Sequence, residues 1–170
     1  MSLSTETYYR TLIDLGESMI ISGFRSLVLL NGHGGNHDLI QLVARDLAIK
    51  HKIKFAAMSY WTVAWDALIE VGAHKKSNLP GHAGSFETSA IMALRPELVR
   101  EPRPHRDGVT DSDPQSFYTA YRDERHQWLE KINGYTDSPD QGDAEQGKTY
   151  LATIIKSVSQ AFVKFHKSGN

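Results

Sequence analysis

The sequence predicts an α/β domain, and three observations carry that reading: an apolar run, a helix-period stripe after a tight loop, and a second apolar run. Ser26-Leu27-Val28-Leu29-Leu30 is short, continuous and apolar, the pattern of a strand buried on both faces of a parallel sheet. A loop over 31–36 follows. Leu39, Val43 and Leu47 then fall on one stripe with Ile40 beside it, predicting a helix over 37–50. Phe55-Ala56-Ala57-Met58-Ser59-Tyr60 reads as the second strand. Strand, loop, helix, strand is a βαβ unit, which is expected to cross over right-handed.

The other elements follow in order. Tyr8, Leu12, Leu15 and Met19 recur at helical spacing, so 5–22 is a helix, with Ser4 as its N-cap, Glu6 at the positive end of its dipole and Gly23 as its stop. A weaker pattern predicts a helix over 61–71. Residues 72–84 are polar and broken by Pro80, Gly81 and Gly84, so they form a loop. A short helix is expected over 85–94 with Phe86, Ala90, Ile91 and Leu94 inward. Residues 95–114 carry four prolines and many charges, an exposed connection with room for one strand. Phe117, Tyr121, Trp128, Leu129 and Ile132 predict a helix over 117–132. The last helix has the clearest stripe, Leu151, Ile154, Ile155, Val158, Phe162 and Phe165, and Asp143 with Gln146 forms a capping-box pattern at its start.

Composition bounds the function. The 170 residues suit one domain spanning 1–170, and the 40% hydrophobic and 23% charged shares are those of an ordinary globular protein. Nineteen basic residues nearly cancel twenty acidic ones, leaving a charge of −1, which argues against a nucleic-acid binder. No basic run suits a membrane surface, no apolar run would span a bilayer, and the start shows no signal peptide. The absence of cysteine excludes disulfides, thiolate metal sites and a cysteine nucleophile, and fits a cytoplasmic protein. With eight histidines and no cysteine, any transition metal would be held by imidazole and carboxylate.

Ligands in open parallel sheets bind beyond the carboxyl ends of the strands, where Asn31-Gly32-His33-Gly34-Gly35-Asn36 lies. It is not a dinucleotide fingerprint, because His37 stands where the third glycine belongs, and no Lys-Ser or Lys-Thr closes it as a P-loop. No Gly-x-Ser-x-Gly elbow occurs. What remains is a histidine presented at a strand end, suited to a metal or to acid–base work, against a turn whose glycines serve the backbone alone. A second candidate is Gly81-His82-Ala83-Gly84-Ser85-Phe86-Glu87-Thr88-Ser89, with His82 before a helix and Glu87 in its first turns. By itself this reads as a loop histidine and a routine helix-start glutamate. His37 lies one residue past the loop and could support it. His51, His74, His105, His126 and His166 lie in polar stretches and read as solvated. Asp38 and Asp46 read as a helix-start charge and a solvent-face charge.

The two segments in this order resemble the creatininase (creatinine amidohydrolase) family. Ala90-Ile91-Met92-Ala93-Leu94-Arg95-Pro96-Glu97-Leu98-Val99 and, more weakly, Asp143-Ala144-Glu145-Gln146-Gly147 extend the likeness. The resemblance implies a three-layer α/β/α fold with a mostly parallel sheet and a site for one or two divalent metals, zinc, manganese or iron. It implies hydrolysis of a non-peptide C–N bond in a cyclic amide or formamide, a small-molecule substrate, and assembly as a homo-oligomer, commonly a hexamer. Residue by residue, His33 is similar to the family's metal-binding histidine and Glu87 to a carboxylate that binds metal. His82 is similar to the histidine that polarises the substrate or protonates the leaving nitrogen. Gly34 and Gly35 would leave room for metal and substrate, Asn31 and Asn36 would fix the loop or bind substrate, and Tyr60 and Trp61 would form an apolar wall.

Two departures from the family pattern stand out. Creatininases proper carry a glutamate two residues after the motif histidine, where this chain has Gly35, so creatinine itself is a poor expectation. The family's upstream Glu-x-His-Gly-x-His segment and its aspartate have no counterpart before Thr5, so about the N-terminal third of the family domain is expected to be absent. A shortened chain, a partner that supplies the ligands, and a non-catalytic remnant that binds or scaffolds another molecule all remain open. A nucleotide-binding module using the Gly32–Gly35 backbone ranks below them. A sheet lacking its first strand would leave an open edge and favour self-association.

Overall fold

The computed structural model describes residues 3–107 and 133–168. The helix expected over 117–132, with Trp128 and His126, lies outside the described residues, as does the end of the 95–114 connection. The chain forms two compact units, one joining the residues up to Ala64 with those from Lys156 onward, the other running from Trp65 to Ile155.

The first unit holds the βαβ motif. Helix α1 (Thr5–Ile21) starts at Ser4, whose Oγ accepts from the Thr7 amide at 3.3 Å. It stops at Gly23, where the Gly23 amide donates to Ile20 O at 3.0 Å and the Phe24 amide to Met19 O at 3.2 Å. Gly23 sits at φ +100°, a backbone state that costs glycine little. Strand β1 (Ser26–Asn31), helix α2 (His37–His51) and strand β2 (Lys54–Ser59) follow. The strands pair in parallel from Ser26 opposite Lys54 to Asn31 opposite Ser59.

Ile20, Val43 and Leu47 form the core of this unit, with Leu27 and Leu29 packed against them. Gly16 lets α1 meet α2, since a Cβ there would lie 2.4 Å from Leu47 Cδ1. Tyr9 ties the same helices by donating its hydroxyl to Asp46 Oδ2 at 2.7 Å, which holds the Asp46 carboxyl below its ordinary pKa and raises the phenol. Asp46 is therefore a helix-pairing group rather than a bare solvent charge. The strand is not buried on both faces as its composition suggests. Side chains alternate along a strand, so Leu27 and Leu29 face the core while Leu30, on the opposite face, stays 50% exposed.

The expected helix over 61–71 is two pieces, α3 (Tyr60–Val63) and α4 (Trp65–Glu70), separated where Ala64 leaves helical geometry at φ −96°, ψ 5°. A loop with one short 3-10 turn at Ala73–Lys75 leads to α5 (Ser85–Leu94). No strand lies between Arg95 and Asp107, where Pro96–Leu98 form another 3-10 turn. The last helix, α6 (Ala144–Lys167), begins in the second unit. Asp143 Oδ1 accepts from the Gln146 amide at 2.8 Å, so half of the capping box forms. The reciprocal half does not: the Asp143 amide donates to Ser89 Oγ at 2.9 Å, and Gln146 Oε1 accepts from Tyr150.

The buried stripe of α5 differs from the expected one. Ser85, Phe86 and Ser89 are buried, whereas Ile91 and Leu94 are 41% and 59% exposed. The cause is the approach of α6: a Cβ on Gly147 would lie 1.9 Å from Ser89 O, so the small hydroxyl residues face that contact. Phe86 stacks beside Tyr150 with ring centroids 5.2 Å apart. Along α6, Val158 is buried as expected, while Ile155 is 64% exposed.

Candidate functional site

Seven of the sequence-predicted site residues gather at the carboxyl ends of β1 and β2. Asn31 closes β1 with its side chain buried. Its Nδ2 donates to His33 O and to Ser59 Oγ, both at 2.9 Å, and its Oδ1 accepts from the His33 amide at 3.1 Å. One side chain thus holds both backbone polar groups of His33 and bridges the two strand ends. A 3-10 turn at Gly34–Asn36 carries the loop into α2, and the Asn36 amide donates to His33 O at 3.1 Å.

The His33 side chain is exposed, and its Nδ1 accepts from the Gly35 amide at 3.1 Å. That bond leaves the proton of a neutral ring on Nε2, so a metal-binding role requires it to give way. An added Cβ on Gly34 would meet nothing within 4 Å, whereas one on Gly35 would lie 3.3 Å from the His33 ring. Tyr60 and Trp61 stand edge to face with centroids 5.2 Å apart, immediately after β2.

Sequence reasoning did not single out Ser59 and gave His37 only a supporting part. Ser59 is buried, and His37 Nδ1 lies 2.8 Å from its Oγ. His37 Nε2 lies 2.8 Å from the Gln41 amide group, and the ring is 6.2 Å from Trp61. A serine closing the apolar run Phe55-Ala56-Ala57-Met58 was the available signal for Ser59.

His82 and Glu87 lie in the second unit, at the start of α5. His82 is exposed, and its amide and carbonyl are both engaged by Thr136. Glu87 Oε2 accepts from the Ala83 amide at 2.6 Å, so this carboxylate also caps the helix start. Thr136 and Asp137, buried behind this loop, were not found from the sequence. Nothing local marks them, because their partners lie about fifty residues away.

The donor chemistry here does not complete a metal site. Among the described residues no group of three or more histidines, aspartates and glutamates is placed to hold a metal ion, while catalytic zinc usually takes three protein ligands and a water. No helix of the described residues is long and apolar enough to cross a membrane.

The fold and this loop define an α/β protein with a histidine presented on a glycine-rich turn at a parallel strand end. The model of the Creatininase family (creatinine amidohydrolase) matches residues 1–162. A creatinine amidohydrolase of Pseudomonas putida is 32% identical over 126 residues, covering 68% of this chain and 46% of that protein. A glutamate-to-glutamine mutant creatininase of the Zn–Zn type superposes with a TM-score of 0.76 at 24% identity, covering 99% of this chain and 67% of that one. A manganese creatininase gives 0.70 at 27% identity, again covering 99% and 67%. The chain belongs to the creatininase family. It spans about half the length of the curated relative and two thirds of these solved structures.

Proposed function

We propose that this protein acts in the hydrolysis of a non-peptide C–N bond, in a cyclic amide or formamide, as a creatininase-type amidohydrolase. The observation that supports it most is the buried Asn31–Ser59 bridge, which fixes the His33 turn at the joint end of two parallel strands. In this reading His33 and Glu87 are metal-binding residues, with the further donors supplied by a partner chain. A divalent metal at such a site would make bound water nucleophilic near neutral pH. His82 gives its proton to the leaving nitrogen, Asn31 and Asn36 fix the turn or bind substrate, Gly34 and Gly35 leave space for it, and Tyr60 with Trp61 shields it from water. The same reading takes the protein as a cytoplasmic homo-oligomer, with the exposed Leu30 face of the sheet favouring association.

The test is elemental analysis of the purified protein equilibrated with zinc, manganese or iron(II), beside hydrolysis of creatinine, hydantoin and N-formylaniline. The expected result is bound metal that is lost in His33→Ala, and cleavage of one probe that falls by about 100-fold or more in His82→Ala. A His33→Ala protein with full metal and full activity would overturn the site. A second reading, a non-catalytic binding protein, draws on the incomplete donor set. It predicts a metal-free protein that cleaves none of the probes.

A further inference from the structure

We infer that Thr136 and Asp137 are positioning residues for His82, a role that rests on the reading of His82 as the proton donor. Asp137 is a carboxylate only 1% exposed, sequestered behind the loop that carries the histidine. Its Oδ1 accepts from the Ser85 amide at 2.5 Å, at the first turn of α5. Its Oδ2 accepts from the Asn78 amide and from Thr136 Oγ1, both at 3.3 Å. The N-cap of α5 is Gly84, which has no side chain to offer. Asp137 therefore reaches from 52 residues away to accept from the first amide of the helix, a carboxylate at the helix's positive end.

Thr136 adds a direct grip on the histidine. Its Oγ1 accepts from the His82 amide at 2.9 Å, and its own amide donates to His82 O at 2.9 Å. Both backbone polar groups of His82 are thereby fixed while its ring stays exposed.

The glycines around His82 fit the same device. A Cβ on Gly84 would lie 2.2 Å from Asp137 Oδ2, and one on Gly81 would lie 2.9 Å from Thr136 Oγ1. The Gly-His-Ala-Gly sequence is what lets a buried Thr-Asp pair close on the loop from behind. Ala83 at φ +46° is held in that turn by Glu87.

The test uses the full chain with Thr136→Val, which removes the hydroxyl at constant shape, Thr136→Ser, which restores it, and Asp137→Asn. Amide hydrogen exchange reads the clamp without reference to activity. The His82 amide should exchange at least about tenfold faster in Thr136→Val, and the Ser85 amide likewise in Asp137→Asn, while Val43 and Leu47 in the other unit are unchanged. Thr136→Ser should recover the His82 protection. With whichever of creatinine, hydantoin and N-formylaniline the protein cleaves, kcat should fall about tenfold or more in Thr136→Val at nearly constant KM, and return in Thr136→Ser. Unchanged exchange at His82 in Thr136→Val overturns the proposal, and that variant decides it if Asp137→Asn does not fold. Faster exchange with unchanged kcat overturns the catalytic part. Faster exchange in a protein that cleaves none of the three probes even unaltered counts against the hydrolase reading and leaves the clamp standing.

Discussion

Asn31 and Ser59 stand opposite each other at the last position of the parallel pair, and the Asn31 amide donates to the Ser59 hydroxyl at 2.9 Å. Removing that hydroxyl leaves a buried donor with one partner fewer and takes the contact from His37 as well. Ser59→Ala is expected to cost about 1–2 kcal/mol, read from the urea midpoint. A fall in hydrolysis larger than that loss explains is expected as the His33 turn loosens.

Two glycines should behave oppositely. At Gly147 an added methyl would meet the Ser89 carbonyl, backbone that cannot swing aside, so Gly147→Ala should destabilise by about 3 kcal/mol. At Gly34 nothing lies near the added Cβ, so Gly34→Ala should change the melting temperature little while lowering turnover if substrate occupies that space. Equal stability losses in both variants would contradict the packing described for α5 and α6.

The start of α6 offers a finer comparison. Asp143 caps the helix through the Gln146 amide, whereas the Gln146 side chain is engaged by Tyr150 instead of reaching back. Asp143→Ala should cost about 1 kcal/mol in thermal unfolding, and Gln146→Ala clearly less.

His105 predicts a pH dependence. Its Nδ1 donates to Asp140 at 2.8 Å and its Nε2 to Asp107 at 3.1 Å. The hydrogen bond to Asp140 raises the imidazole above its ordinary 6.5, and the same bond holds the Asp140 carboxyl below 3.8. The histidine's share of stability is full below 6.5 and disappears as pH rises through its folded value. The carboxylate's share is full above 3.8 and disappears as pH falls through its folded value. The advantage of the native protein over His105→Gln in urea should therefore be greatest between pH 3.8 and 6.5 and be lost as pH rises through the histidine's raised folded value. Both groups face solvent, so the difference will be small and weakened by salt.

Local patterns carried most of the architecture. Ser4, Gly23 and the Leu39–Val43–Leu47 stripe act within a turn or two of themselves, so α1, α2 and the parallel pair were legible to within a residue or so. The His33 loop was legible because glycine density and position at a strand end are local facts. Burial was less legible. Leu30 and Leu94 read as core by composition, yet composition does not say which faces of an element find a neighbour. The Thr136-Asp137-Ser138 segment reads as a polar loop, and all three residues are buried. Their burial depends on donors at Asn78, His82, Ser85 and Arg106, contacts that no short window of sequence displays.

The first unit draws on two distant stretches of chain. The Lys54 ammonium, at the head of β2, collects the carbonyls of Phe165, His166 and Ser168 at the end of α6, and lies 4.9 Å from the centre of the Phe165 ring. Lys54 and Phe165 are 111 residues apart. At ribosomal speeds of about 5–20 residues per second, roughly 6–22 s of translation separate them. The βαβ motif and its histidine turn must therefore persist, or wait with a helper, through the synthesis of the entire second unit before the last helix arrives to fasten the first.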